Sequence, residues 1–267
     1  MSSVLIKKEK FYYSVKLNRP EKHNAFNPEM IQALTEFFKT ASKDKFARAV
    51  LLTGAGSSFC AGADLEWMKS MAQIKMKENL ADAKALDAMF AAAHDCELPI
   101  IGYLQGSVFG GGVGLAAICD IAVAEAATKF CFSEVKLGLV PAVISRYVLK
   151  KMQVNKAREW MLTGRVFDAS EAKAAGLVEC AGRELEAQAY LHETLKMIGQ
   201  AGPEALRECK KLVGQVCSLP DEEIQEVTTQ LIAQRRVSDE GQEGLKAFIE
   251  KRKPGWVFHE PQDEDEE

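Results

Sequence analysis

QGSVFGGGVGLAAICD, residues 105–120, sets three consecutive glycines just ahead of an apolar run. Glycine loses more backbone freedom on folding than any other residue, so a triplet here calls for some use of uncovered backbone. A phosphate-binding loop is excluded, because no Gly-Lys-Ser/Thr ending follows. A second glycine segment, VLLTGAGSSFCAGADLEWM (50–68), carries a G-x-G after a strand-like run. Phe59 stands where the dinucleotide fingerprint needs its third glycine, and no βαβ unit with a ribose-binding acid follows. Read together, CAGADL and FGGGVGL each supply a turn at the start of a helix. The first N–H groups of a helix have no partner inside it and face outward as donors. Two of them converging on one point would form an oxyanion hole. Taken singly, either loop reads equally well as glycine that lets helices pack closely.

Around these loops the chain is ordinary for a globular protein. It has 267 residues, 47% of them hydrophobic, and a formal net charge of −4. Its basic residues are scattered, so no nucleic-acid surface is expected. The one charge run, EPQDEDEE at 260–267, reads as a solvated acidic tail. Seven cysteines fall without any CxxC pair, which implies buried free thiols in a reducing compartment. The four histidines show no ligand spacing, so no metal site is expected. The chain opens directly on strand-like sequence and has no apolar run of the ~20 residues a membrane helix needs. The expectation is a cytoplasmic protein with no membrane partner.

Periodicity supplies the element order. Val4–Lys8 and Tyr13–Leu17 read as a hairpin. A helix follows, with Asn27 as its cap, Pro28 in its first turn and Met30, Leu34, Phe37 and Phe38 on one face. Residues 48–54 read as a buried strand, and 64–94 as helix broken near Ile74. Strand, glycine segment with helix, strand and TKFCFSE come next. From Pro141 the pattern is mostly helical, including an Asp168-to-Glu171 capping box closed by Gly176. Two or three further helices are expected between Arg183 and Lys253. The divisions implied are a catalytic core over 1–198, a helical oligomerisation region over 199–259, and the tail over 260–267.

Five segments then agree in order and spacing with one family: LNRPEKHNAFNPEM, FCAGADL, GSVFGGGVGLAAICDIAVAEAATKFCFSE, LGLVP and TGRVFDASEAKAAGLV. The chain resembles the crotonase superfamily of enoyl-CoA hydratases and isomerases over nearly its whole length. That resemblance implies an α/β fold, a crotonase-like spiral of ββα turns with a C-terminal helical trimerisation region, assembled as a homotrimer or a dimer of trimers. It implies an acyl-CoA thioester substrate, and no separate cofactor, because coenzyme A is part of the substrate. By position, the backbone N–H groups of Ala63 and Gly111 become the oxyanion donors and Glu134 the catalytic carboxylate. Phe130, Phe132, Val135 and Leu137 surround Glu134 in sequence, so burial should raise its pKa. The path for coenzyme A would draw on Lys22, Ala25, Ala61, Ala63, Asp64, Leu65 and Glu66, with Gly111 and Gly114 at the reacting end. Phe248 and Lys251, on the last helix, are candidates for reaching a neighbouring subunit's substrate. Lys22 and Lys251 read equally well as solvated charges, and Phe248 as helix packing.

One residue departs from the hydratase pattern. The first of the family's two glutamates falls at position 114, which here is glycine. A single glutamate suffices to move a proton between two carbons, which favours a double-bond isomerase. FCAGADLEWMKSM and FSEVKLGLVPAVISRYVL pull the other way, since they are similar to the bacterial methylglutaconyl-CoA hydratase branch of leucine and terpenoid degradation, which often lacks that glutamate too. Arg146 stands where that branch pattern has proline, and reads either as a contact to an acidic acyl group or as a surface charge. Three functions are therefore carried forward: a hydro-lyase acting on the 2,3 double bond of a short or branched enoyl-CoA, an isomerase using Glu134 alone, and an inactive acyl-CoA-binding or RNA-binding scaffold.

Overall fold

The alternating residues near the start pair as a hairpin: β1 (Val4–Lys8) runs antiparallel to β2 (Tyr12–Leu17), with Val4 opposite Leu17. The computed structural model describes residues 2–257; the expected tail at 260–267 and the last residues of the expected helical region lie outside them. Next comes α1 (Pro28–Ala41), where Asn27 Oδ1 accepts the Met30 N–H at 2.9 Å and the apolar face, from Met30 to Ala41, is buried. β3 (Ala49–Gly54) then joins β2 in parallel. The break near Ile74 separates α2 (Leu65–Met71) from α3 (Met76–His94).

The strands that follow alternate between two sheets. β4 (Ile100–Leu104) enters the first, and after Gln105 and Gly106 β5 (Ser107–Phe109) enters the second. α4 (Gly111–Ile118) closes that turn. β6 (Ile121–Glu125) and β7 (Lys129–Cys131) repeat the step, followed by a 3₁₀ turn at Glu134–Leu137, α5 (Ala142–Lys151) and α6 (Val154–Thr163). β8 (Val166–Asp168), α7 (Ala169–Ala174) and β9 (Cys180–Gly182) complete the sheets. The first has strand order β1-β2-β3-β4-β6-β9, parallel except at β1–β2; the second is β5-β7-β8. This strand, strand, helix repetition is the ββα spiral expected of the sequence. The expected capping box is present, with Glu171 N–H to Asp168 Oδ1 at 2.9 Å and Asp168 N–H to Glu171 Oε2 at 3.1 Å.

An aromatic stack fixes the second sheet. The Trp160 and Phe167 rings lie 3.7 Å apart, with Phe130 and Phe132 against Phe167, and all four are buried. Truncating a ring in such a stack costs about 3–5 kcal/mol. The stack holds β7, whose next residues lead to Glu134.

Two expectations need correction, the number of helices in the final third and the burial of every cysteine. The final third contains four helices rather than two or three: α8 (Glu184–Gln200), α9 (Pro203–Val216), α10 (Asp221–Val237) and α11 (Asp239–Ile249). Pro203, Pro220 and Ser238 separate the last three. The division expected between 198 and 199 falls inside α8, and the buried Arg48 guanidinium donates to the carbonyls of Gly199 and Trp256, tying the helical end to the core. Of the seven unpaired cysteines four are buried, whereas Cys180 is half-buried and Cys209 and Cys217 are exposed. No helix among the described residues is long and apolar enough to cross a membrane.

Candidate active site

The two glycine segments and the carboxylate come together through backbone pairing. Residues 59–64 run between two other stretches. On one edge Phe26 N–H donates to Gly62 O at 2.7 Å and Asp64 N–H to Phe26 O at 2.9 Å, a parallel bridge centred on Ala63. On the other edge Cys60 N–H donates to Ser107 O at 3.1 Å and Phe109 N–H to Cys60 O at 2.9 Å. In a parallel bridge the residue at the centre turns its own N–H away from its partner. Ala63 therefore presents its N–H away from Phe26, and that N–H has no acceptor among the described residues. Gly111 opens α4, so its N–H has no partner in the helix, and none outside it among the described residues. Gly62 and Gly110 face each other: a Cβ on Gly62 would lie 3.8 Å from Gly110 Cα. Both hold positive φ, +95° and +49°, a region that disfavours side chains.

Glu134 reaches the same place from the second sheet. Gly110 N–H donates to Cys131 O at 2.9 Å, extending the β5–β7 ladder, and three residues later the chain turns into the 3₁₀ segment that begins at Glu134. A Cβ on Gly110 would stand 3.2 Å from Glu134 Oε1. Glu134 Oε2 is buried without a hydrogen-bond partner among the described residues. Burial pushes the carboxyl's pKa above its ordinary value. Phe130 and Phe132, which precede Glu134, are buried, while Val135, Leu137, Leu139 and Val140, which follow it, are exposed. An ionised carboxylate here is poorly solvated and lies beside two unpartnered N–H donors, an arrangement suited to moving a proton next to a carbonyl whose oxygen gains charge.

The triplet has a separate reason for each glycine. Gly110 has a positive φ and lies against Glu134; Gly111 lies under the Phe26 ring, where a Cβ would stand 2.7 Å from Cε2; Gly112 abuts the Cys60 carbonyl. So the run allows three pieces of chain to meet as well as leaving an N–H uncovered.

The other expected site residues are placed variously. Lys22 and Glu66 are exposed beside the loop and pair with each other at 3.2 Å. Leu65 is exposed at 72%, and Ala63 is exposed as well. Ala25 and Ala61 belong to the frame: Ala25 is buried with its carbonyl accepting from Arg19 Nη1 at 2.6 Å, and Ala61 N–H donates to His23 O at 3.0 Å. Asp64 was expected along the substrate path, but its carboxylate turns inward, 4% exposed. Oδ1 accepts the Glu66 and Trp67 N–H groups at the start of α2, and Oδ2 accepts from Arg19 Nη2 at 2.7 Å. Burial alone would push this carboxyl's pKa up; those hydrogen bonds outweigh it and hold the carboxyl below its usual value. Gly114 likewise packs inside, against Ile144 and Phe90. Phe248, 84% exposed, and Lys251 lie at the end of α11 and share no hydrogen bond or ion pair with the glycine loops or Glu134. Arg146 pairs with Asp87 at 2.7 Å on the surface and lies over the Tyr147 ring.

Sequence reading missed the residues that hold the loop. Asn24, fully buried, accepts the Arg19 N–H and donates to the carbonyls of Ala55 and Ser58. With Arg19 it fixes the Lys22–Phe26 edge on which Ala63 is registered. The available signal was Asp64 ahead of Leu-Glu, an N-cap pattern. Among the described residues no three His, Cys, Asp or Glu side chains gather as a metal's ligands would.

Comparison with known proteins gives a consistent picture. Residues 8–258 match the family profile described as enoyl-CoA hydratase/isomerase. A crystal structure from Legionella pneumophila, provisionally assigned as an enoyl-CoA hydratase/isomerase (crotonase), is 40% identical with a TM-score of 0.89, covering 96% of this chain and 99% of that one. An enoyl-CoA hydratase structure from Shewanella pealeana is 35% identical, TM-score 0.90, covering 95% and 96%. A provisionally named enoyl-CoA hydratase of Thermus thermophilus is 32% identical over 89% of this chain and 94% of its own length.

Proposed function

The chain belongs to the enoyl-CoA hydratase/isomerase family, and from that premise we propose that it is an enoyl-CoA hydratase, a hydro-lyase that adds water across the 2,3 double bond of a short or branched enoyl-CoA. The observation that carries this reading is the juxtaposition of the Glu134 carboxylate, whose buried Oε2 has no hydrogen-bond partner among the described residues, with the N–H groups of Ala63 and Gly111, which have no acceptor among them. In this reading the two N–H groups hold the thioester oxygen. Ionised Glu134 takes a proton from water as the water oxygen bonds to C3, the C2–C3 double bond shifts into a thioester enolate, and Glu134 returns the proton to C2. One water is added and the carboxylate is restored. The enolate's charge falls on the oxygen held by the two donors, where each is worth about 10²–10³ in rate.

Within the family we favour the methylglutaconyl-CoA branch, supported by the FCAGADLEWMKSM and FSEVKLGLVPAVISRYVL segments, which makes 3-methylglutaconyl-CoA the first acyl group to try. Lys22, Leu65 and Glu66 would border the coenzyme A portion, with Phe248 and Lys251 reaching across from a neighbouring subunit of a trimer or dimer of trimers. The cytoplasm is the proposed location, in keeping with seven unpaired cysteines. The second reading, an isomerase, is favoured by one observation, glycine at 114.

Mass spectrometry after incubation with crotonyl-CoA, 3-methylglutaconyl-CoA and a 3-enoyl-CoA separates the two. Gain of one water by a 2-enoyl substrate is expected. A shifted double bond at unchanged mass, with no hydration, would replace the hydratase by an isomerase.

A further inference from the structure

Position 114, where the resemblance to the hydratases would put a second carboxylate, faces a packed wall. A Cβ on Gly114 would lie 2.9 Å from Ile144 Cβ and 2.9 Å from Phe90 Cε1, and closer still to Ile144 Cγ2. Ile144 is 3% exposed and Phe90 fully buried. Neither can yield easily. A β-branched side chain in a helix has one strongly preferred χ1, and the Phe90 ring is flanked by Phe26 at 6.2 Å and Tyr147 at 5.8 Å between centroids. Phe26 in turn lies on Gly111. One continuous contact path therefore links the expected oxyanion donor to Gly114 through Phe26 and Phe90, and Ile144 closes it.

We propose that Ile144, backed by Phe90, is the positioning residue that holds this site to a single carboxylate. Its side chain occupies the volume a longer residue at 114 would need, so Gly114 and Ile144 are a matched pair and Glu134 is left to move protons alone. This rests on the reading of Glu134 as the proton carrier. The pairing makes a prediction of unusual sign. Helix propensity alone says that alanine is better than glycine inside α4, whereas the packing says that Gly114→Ala is harmful while Ile144 is present and less harmful once Ile144 is shortened, because the Cγ2 contact is lost and only the contacts with the Cβ of residue 144 and with Phe90 remain.

The test is a thermal double-substitution cycle on the whole chain: wild type, Gly114→Ala, Ile144→Ala and the pair. Gly114→Ala should lower Tm by on the order of 5 °C, and the pair should melt well above the sum of the two single shifts. A rise in Tm for Gly114→Ala, or strictly additive shifts, would overturn the pairing. The chemical arm compares pH profiles. Ile144→Ala should keep the single ascending limb of the wild type, and Gly114→Glu combined with Ile144→Ala should gain a second ionisation. A folded double variant with an unchanged profile would overturn the inference. The melting cycle needs no substrate, so its failure is distinct from failure of the hydratase reading, which would appear as coupled melting shifts in a protein that hydrates no enoyl-CoA.

Discussion

Glu134→Gln keeps the size and shape of the side chain and removes its ionisation, and the structure gives the two consequences opposite signs. For turnover, loss of a positioned proton carrier costs about 10²–10⁴-fold, which is about 2.7–5.5 kcal/mol of barrier at 1.36 kcal/mol per decade. For stability the direction reverses. Oε2 is buried and unpartnered, and burial lifts the carboxyl's pKa above its ordinary 4.5. Between that ordinary value and the raised one, the folded chain holds more protons than the unfolded chain, so stability falls as pH rises through the window. At neutral pH the wild type bears a buried ionised carboxylate whose Oε2 has no partner among the described residues, and glutamine relieves it. The variant should therefore be nearly inactive yet at least as stable as wild type at pH 7, and the stability difference should vanish below the ordinary carboxylate value. Turnover is read from loss of the conjugated enoyl absorbance, stability from urea unfolding at several pH values, and ligand binding from titration with a saturated acyl-CoA. Turnover within tenfold of wild type would remove Glu134 from the mechanism. A loss of turnover matched by a loss of stability would mean that Glu134 acts through the fold.

The same ionisation shapes the pH profile: kcat/KM should rise along one limb whose midpoint lies above 4.5, and a midpoint at or below that value would contradict burial as its cause. Gly111→Val pushes a side chain into the Phe26 ring and displaces the N–H of residue 111; kcat/KM should fall by about 10²–10³, and near-normal kinetics would move the oxyanion hole elsewhere. Asp64→Ala leaves the Arg19 guanidinium, only 16% exposed, with the Ala25 carbonyl but no carboxylate, and uncaps α2, so urea unfolding should show a loss of about 2–4 kcal/mol; a change under 1 kcal/mol would make the ion pair incidental. Lys22→Ala breaks only an exposed pair, so stability should stay within about 0.5 kcal/mol while KM rises and loses part of its salt dependence; an unchanged KM would leave Lys22 a solvated charge.

What was legible in the sequence follows a physical rule. Asn27, the Asp168–Glu171 box and the apolar face of α1 act within a few residues of themselves, so their pattern was enough to place them. The two glycine loops were legible as helix starts for the same reason. What stayed hidden depends on partners distant in sequence. Asp64 turns inward as the N-cap of α2, which its local pattern offered, and because Arg19, forty-five residues earlier, is there to receive its other oxygen, which no local pattern shows. Position 114 is the sharper case. As sequence, glycine there reads as a missing carboxylate, a gap in the chemistry. In the structure it is one half of a contact with Ile144, thirty residues away and on another helix. A glutamate introduced at 114 alone would meet a wall before it met a substrate. The departure from the hydratase pattern is therefore a property of two positions, and any comparison of these enzymes that scores the glutamate without its packing partner would misjudge what a single substitution can restore.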